Sequence, residues 1–293
     1  MSRLALLIVG VVLLLVGCGA PAMTMAPLAF ASPLRAPAGQ RVLFPLVLGG
    51  AHKLGMAGCP GSCREFGCHW CYSWWPTPGT EAGRESVPMI WDEQQIGRQL
   101  GGNSAWVMGW NEPDIAGQAN ISPAEGARLW REMELTYADR KLVAPAPSHR
   151  YPGWLPAFRA AYRELWGGAP RLDALAVHCY FQSARECIGL VEQFKAWASD
   201  WGVGEIWVTE FAFLPAYCDA PAEVRAFVGY LEGERLVTRY APYVSIQQCG
   251  DEWWDCEAAG DPSLVQADGR TPTELGRLYA QPPENVAWWG RGW

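Results

Sequence analysis

The chain has 293 residues, half of them hydrophobic and 18% charged, which is enough apolar side chain for one large domain or two small ones and excludes a disordered chain. Lys plus Arg number 23 against 30 Asp plus Glu, a formal charge of -7, and there is no basic run. Binding driven by phosphate neutralisation is therefore excluded, and no nucleic-acid partner is expected. Two counts stand out, 17 Trp and 10 Cys.

At the amino terminus Arg3 precedes an apolar run from Leu4 to Val16. This run is too short to span a bilayer as a helix and suits the core of a signal peptide. It ends in Leu15-Val16-Gly17-Cys18, a tetrad that resembles the bacterial lipoprotein signal, in which the cysteine becomes the lipidated first residue. The expectation is a signal over residues 1–17, lipid on Cys18, a tether over 18–40 that is rich in Ala, Pro and Met, and a folded domain over 41–293. The protein is then exported, and held to the membrane only through its lipid.

Disulfides persist in an exporting compartment. Beyond Cys18 lie Cys59, Cys63, Cys68, Cys71, Cys179, Cys187, Cys218, Cys249 and Cys256, an odd number. Cys179, inside the apolar run Leu172–Cys179, is the expected unpaired thiol. Connectivity is not legible from sequence; loop position suggests Cys249 with Cys256 and Cys187 with Cys218. The cluster Cys59, Cys63, Cys68 and Cys71 forms bridges on this reading, with zinc ligation as the alternative.

From Lys53 onward short apolar runs alternate with helical patterns, the mark of a parallel α/β fold. Strands are expected at Lys53–Ala57, Cys68–Trp74, Val87–Trp91, Ala105–Trp110, Lys141–Ala146, Leu172–Tyr180, Glu205–Phe211 and Tyr243–Gln248. The clearest helix starts at Ser122-Pro123-Ala124-Glu125, where Ser122 caps, Pro123 suits the first turn and Glu125 closes a capping box. Further helices are expected over Trp154–Leu165, Ile188–Trp201, Ala222–Leu236 and Thr273–Tyr279. Eight strands at this spacing fit a single (β/α)8 TIM barrel. An open doubly wound sheet is the rival, but no glycine-rich dinucleotide fingerprint follows any strand.

In a barrel the chemistry sits where strands end. Two strand ends carry a glutamate: Val107-Met108-Gly109-Trp110-Asn111-Glu112-Pro113-Asp114 on the fourth and Ile206-Trp207-Val208-Thr209-Glu210-Phe211-Ala212 on the seventh. Two facing carboxylates are the machinery of glycoside hydrolysis, one protonating the leaving oxygen while the other attacks carbon or activates water. Either glutamate alone reads more simply as a strand-end residue paired with a surface cation.

This arrangement resembles the retaining glycosidases of clan A. Closer still, Gly109–Asp114, Ala176-Val177-His178-Cys179-Tyr180 and Trp207–Ala212 resemble glycoside hydrolase family 128, a family of β-1,3-glucanases on a (β/α)8 barrel. Lys53–Ala57, Trp70-Cys71-Tyr72-Ser73-Trp74 and Val87–Trp91 match its earlier strands in the same order, so the likeness covers about Lys53 to Tyr279. The resemblance implies that Glu112 is the general acid/base and Glu210 the nucleophile. It implies that Asn111 bonds the sugar 2-hydroxyl, and that His178 and Tyr180 orient Glu210 or touch the sugar. The substrate it implies is β-glucan, most simply β-1,3-linked, with neither cofactor nor metal, acted on by a monomer. The sequence departs from the family pattern at Ser73, usually Asn; at Cys71, usually aromatic; at Cys179, usually Trp; and after the eighth strand, where Trp253 and Trp254 come later than the usual Trp. These departures touch the groove rather than the carboxylates.

Aromatic rings stack on the flat apolar faces of sugars. Trp74, Trp75, Trp91, Trp110, Tyr180, Phe211, Trp253 and Trp254 lie near strand ends and are the groove candidates. Trp106, Trp130, Trp166, Trp197 and Trp207 read as core. His52, His69 and His149 read as structural, Asp114 as a loop cap, and no Ser-centred nucleophile elbow is present. The rival readings are another clan A activity on a different polysaccharide, a sugar-binding surface protein without catalysis, and a cysteine-rich metal-binding surface protein.

Overall fold

A computed structural model describes residues 53–59, 63, 66–215, 217–243, 263–268 and 270–280. Cys18, the tether, Cys249, Cys256, Trp253 and Trp254 lie outside the described residues. So do most of the expected eighth strand and the Trp-rich tail.

Eight short strands run β1 Gly55–Ala57, β2 Trp70–Tyr72, β3 Glu85–Val87, β4 Trp106–Met108, β5 Lys141–Val143, β6 Leu175–Cys179, β7 Ile206–Phe211 and β8 Val237–Tyr240. Every strand pair is parallel: β1 to β2 to β3, β4 to β5, and β6 to β7 to β8. Single parallel bridges join these groups, Met89 to Met108, Val143 to Ala174, and Leu54 to Tyr240. The architecture is thus α/β, with parallel strands neighbouring one another in chain order.

Most expected strands overlap observed ones, but the eighth does not. Only Tyr243 of that segment is described, and it follows β8 rather than starting it. The true strand, Val-Thr-Arg-Tyr, hides a charge: Arg239 points inward and lies over the Trp207 ring at 4.1 Å from its centroid. An inward arginine stacked on indole satisfies its charge by cation–π attraction and a 2.8 Å ion pair to Glu85.

Helices follow from the fourth strand onward. α1 (Pro123–Thr136) is capped by Ser122, whose Oγ accepts from Glu125 N at 3.2 Å. The expected capping box does not close, because the Glu125 carboxylate pairs with Arg128 at 2.6 Å instead. α2 (Trp154–Trp166) packs along α1. α3 (Ala184–Trp201) starts on Ser183 and stops at Gly202, whose φ of 73° favours glycine. α4 (Ala220–Gly233) is capped by Asp219, and α5 (Glu274–Ala280) packs on α4. Among the described residues no helix is long and apolar enough to cross a membrane.

Strand side chains alternate between two cores. One, inside the strands, holds Trp70, Tyr72, Trp106, Met108 and Trp207. The other lies between strands and helices and holds Trp110, Trp130, Phe158, Val208 and Phe211. Trp106, Trp130 and Trp207 are buried as expected. Trp166 corrects the reading: the residue is 46% exposed, because it closes α2, held by its indole N–H to Ala127 O at 2.9 Å and by the Tyr162 ring at 6.5 Å. Trp197 is half-buried.

The disulfides also correct the reading. Cys179 is not free but bonded to Cys187, so Cys187 does not pair with Cys218. The physical reason is alternation: His178 and Tyr180 face the site, so Cys179 between them faces α3, where Cys187 sits in the first turn at a Cα separation of 5.7 Å. Cys59 bonds Cys71 and Cys63 bonds Cys68, so these four thiols form bridges rather than a zinc site.

Candidate active site

Glu112 and Glu210 come from different strand groups, β4–β5 and β6–β7–β8. Glu210 lies in β7, and the pairing register with β6 slips between Val177 and His178, which sets His178 directly beside Glu210. Glu112 follows β4 at a φ of 38°, a left-handed conformation that is costly for a glutamate and is held by its amide bonding Ala146 O at 2.9 Å. Asp114 secures the same turn by accepting from the Ser148 amide at 2.7 Å and from the Ser148 hydroxyl, which is the loop-capping role expected of it.

One oxygen from each glutamate and one nitrogen of His178 all lie within 4.8 Å of one another. The buried His178 Nδ1 is 3.1 Å from Glu112 Oε1 and 3.5 Å from Glu210 Oε2. Glu210 is surrounded by donors. Its Oε1 accepts from Tyr72 Oη at 3.0 Å and Trp74 Nε1 at 2.9 Å, and its Oε2 accepts from Tyr180 Oη at 2.6 Å. Of these contacts Glu112 shares only the one to His178.

Electrostatics follow from this geometry. Burial pushes the His178 imidazole down, but the Glu210 charge and the Glu112 hydrogen bond push harder the other way, and its pKa ends above the usual histidine value. Burial, then the Glu210 charge, drives the Tyr72 and Tyr180 hydroxyls well above the usual tyrosine value, so both stay protonated and donate. Burial and then Arg150 hold His149 below the usual histidine value. Glu112, His178 and Glu210 bring together two oxygens and a nitrogen that one cation could share. The oxygens of Glu210 are, however, already taken by hydroxyl and indole donors.

Trp74 and Tyr180 therefore reach the site, and Trp91 is half-buried against the inner core. Asn111 is buried, with Nδ2 donating to Gln118 Oε1 at 3.0 Å and Oδ1 left without a partner. Trp110 and Phe211 do not belong to a groove. Trp110 is fully buried against Trp130, ring centroids 5.4 Å apart, and Phe211 packs on Phe227 at 5.1 Å. Phe211 neighbours Glu210 on one strand, so the pleat sends it outward.

Three residues were not singled out from sequence. Tyr72 stands two before Trp74, a period that puts both on one face. Tyr243 meets Trp74 and Tyr180 edge-on at 6.1 and 5.7 Å. His149 lies against Tyr180 and Phe181 at 5.9 and 4.8 Å, and no sequence signal marked it as other than structural.

Paired strand-end glutamates, one ringed by donors and both touching a single histidine, form an arrangement that glycoside hydrolysis can use. The family model described as glycosyl hydrolase catalytic core matches residues 62–279, so the chain belongs to that family, and its structural likenesses place it in glycoside hydrolase family 128. It is similar to an endo-β-1,3-glucanase of subgroup II from Pseudomonas viridiflava, with 28% identity, a TM-score of 0.63, and 80% of this chain and 98% of that one covered. It is similar to a curdlan-specific exo-β-1,3-glucanase of subgroup III from Blastomyces gilchristii in complex with glucose, with 28% identity, a TM-score of 0.60, and coverages of 79% and 98%. It is similar to a subgroup I endo-β-1,3-glucanase variant from Amycolatopsis mediterranei in complex with laminarihexaose, with 25% identity, a TM-score of 0.61, and coverages of 79% and 99%. No curated protein sequence matches the chain.

Proposed function

We propose that the chain is a retaining β-glucan hydrolase, acting on β-1,3 linkages, whose eight strands close into a (β/α)8 barrel. The observation that carries the mechanism is the approach of Glu112 to Glu210, within 4.8 Å between oxygens. Retaining glycosidases hold their carboxyls about 5–5.5 Å apart, whereas inverting ones leave about 6.5–9.5 Å for a water. The three bridges that join the strand groups in ring order support the barrel. The substrate is supported by the neighbours, of which the Amycolatopsis enzyme holds laminari-oligosaccharides when either of two glutamates is replaced.

Glu210 is the nucleophile. Tyr72, Trp74 and Tyr180 donate to its two oxygens and hold the carboxylate in place, with one oxygen aimed at the anomeric carbon. Glu112 is the acid, and it meets His178 at 3.1 Å. As Glu210 forms its bond to the anomeric carbon, the bond to the leaving oxygen breaks and that oxygen takes the Glu112 proton. Glu112, now a carboxylate, removes a proton from water, which attacks the same carbon and returns Glu210 as a free carboxylate. His178 touches both groups and senses which of them is charged. Asn111 lies beside Glu112, where the sugar 2-hydroxyl falls on this reading, and Trp91 offers a ring to the chain of sugars.

Residues 1–17 act as an export signal, and lipid on Cys18 holds the enzyme to the membrane through the tether at 18–40. The apolar run and the Cys18 tetrad support this, as do the three disulfides among the described residues, which suit an oxidising compartment.

The test is reducing-sugar release by residues 41–293 from a β-1,3-glucan, a mixed-linkage glucan, cellulose, xylan and mannan. The expected result is release from the β-1,3-glucan, lost in both Glu112→Gln and Glu210→Gln. Release from another polymer discards the linkage. Folded protein that binds glucan and releases nothing discards the hydrolase mechanism.

A further inference from the structure

The donors that hold Glu210 sit on two strands, and each strand is covalently tied one residue before a donor. Tyr72 follows Cys71, bonded to Cys59, and Tyr180 follows Cys179, bonded to Cys187. Cys71 and Cys179 alternate with the donors on their strands, so they face away from the carboxylates, and both are fully buried, as is Cys187 in α3. The tie at Cys179 matters most because the backbone there is irregular. The β6–β7 register slips between Val177 and His178, and β6 ends at Cys179, so Tyr180 hangs beyond the last ladder position. A residue past a strand end lacks the ladder that fixes a strand interior. The bond from Cys179 to the first turn of the eighteen-residue α3 supplies what the ladder does not. His178 on one side and Tyr180 on the other both reach Glu210, at 3.5 and 2.6 Å.

We propose that Cys179 and Cys187 are a positioning pair for the reaction: their disulfide holds the end of β6 so that Tyr180 and His178 keep Glu210 aimed at the anomeric carbon. The pair touches no substrate and acts through Tyr180. The inference rests on the reading of Glu210 as nucleophile.

The test is a double-mutant cycle on residues 41–293, with kcat and KM measured on a β-1,3-linked glucose hexasaccharide for wild type, Cys179→Ala/Cys187→Ala, Tyr180→Phe, and the three changes combined. Misplacing a reacting group by about an ångström costs on the order of a hundredfold, so loss of the bridge lowers kcat by roughly tenfold to a hundredfold with KM within about twofold. Tyr180→Phe lowers kcat similarly, and the combined variant is no worse than Tyr180→Phe alone, because both remove one thing. The bridge variant Cys63→Ala/Cys68→Ala, whose bond ties the turn before β2 and not the end of β6, keeps wild-type kcat. Losses that multiply in the combined variant, or unchanged kcat without the Cys179 bridge, overturn the inference while leaving the hydrolase reading intact. An inactive wild type removes the hydrolase reading, and a crystal structure of Cys179→Ala/Cys187→Ala then decides the positioning on its own. A Tyr180–Glu210 distance still at 2.6 Å overturns it, and a broken hydrogen bond upholds it.

Discussion

Tyr180 donates its hydroxyl proton to Glu210 Oε2 across 2.6 Å, while Tyr72 and Trp74 share Oε1. The carboxylate is thereby fixed at both oxygens and cannot rotate without giving up a donor. A hydrogen bond to a charged group is worth about 1.5–3 kcal/mol, roughly ten- to a hundredfold in rate. Tyr180→Phe is expected to lower kcat on a β-1,3-glucan by that factor with little change in KM, as measured by initial-rate kinetics.

The two glutamates separate by leaving group. An aryl glycoside with a dinitrophenolate leaving group departs without a proton, so it does not need Glu112. Glu112→Gln is expected to lose about 10²–10⁴-fold on glucan and far less on the dinitrophenyl substrate. Glu210→Gln loses on the order of a thousandfold or more on both. Parallel kinetics on the two substrates check the assignment; equal losses for Glu112→Gln on both contradict it.

His178 makes stability depend on pH. Its folded pKa is raised: burial opposes the shift, but Glu210 and Glu112 outweigh it. The protonated form is therefore favoured in the folded state. The stability it adds is fully present below the unfolded value of about 6.5 and is lost as pH rises through the raised folded value. Thermal melts across this window should show wild-type Tm falling with rising pH more than that of His178→Asn. Parallel curves contradict the assignment.

Trp70 lies over Gly55. A Cβ on Gly55 would stand 2.2 Å from the Trp70 ring, which is buried against Trp207 at 5.4 Å and under Arg239. Gly55→Ala must push the indole out of that stack and is expected to cost about 1–3 kcal/mol, measurable by urea unfolding.

The two glutamates, His178 and Tyr180 were legible because each stands at the end of a long apolar run, where the period of two is plain. Trp110 and Phe211 lie near strand ends yet pack into the core, because nearness to a strand end does not set which face a side chain takes. The pleat already sets Phe211 opposite Glu210. The same alternation places Cys179 away from the site and toward a partner, which composition alone could not reveal. β8 was hidden because its inward residue is Arg239, and a charge breaks the apolar pattern that marks a buried strand. The aromatic Arg239 needs is supplied by Trp207 from another strand, a contact that no local pattern carries.

Retention through Glu210 is the central claim, and proton NMR of the first products tests it most directly. Hydrolysis of a β-1,3-linked oligosaccharide followed from the first minutes should show the β-anomer of the new reducing end, with the α-anomer growing in only by mutarotation. An α-anomer formed first would mean a single inverting displacement, and Glu210 would not be the nucleophile.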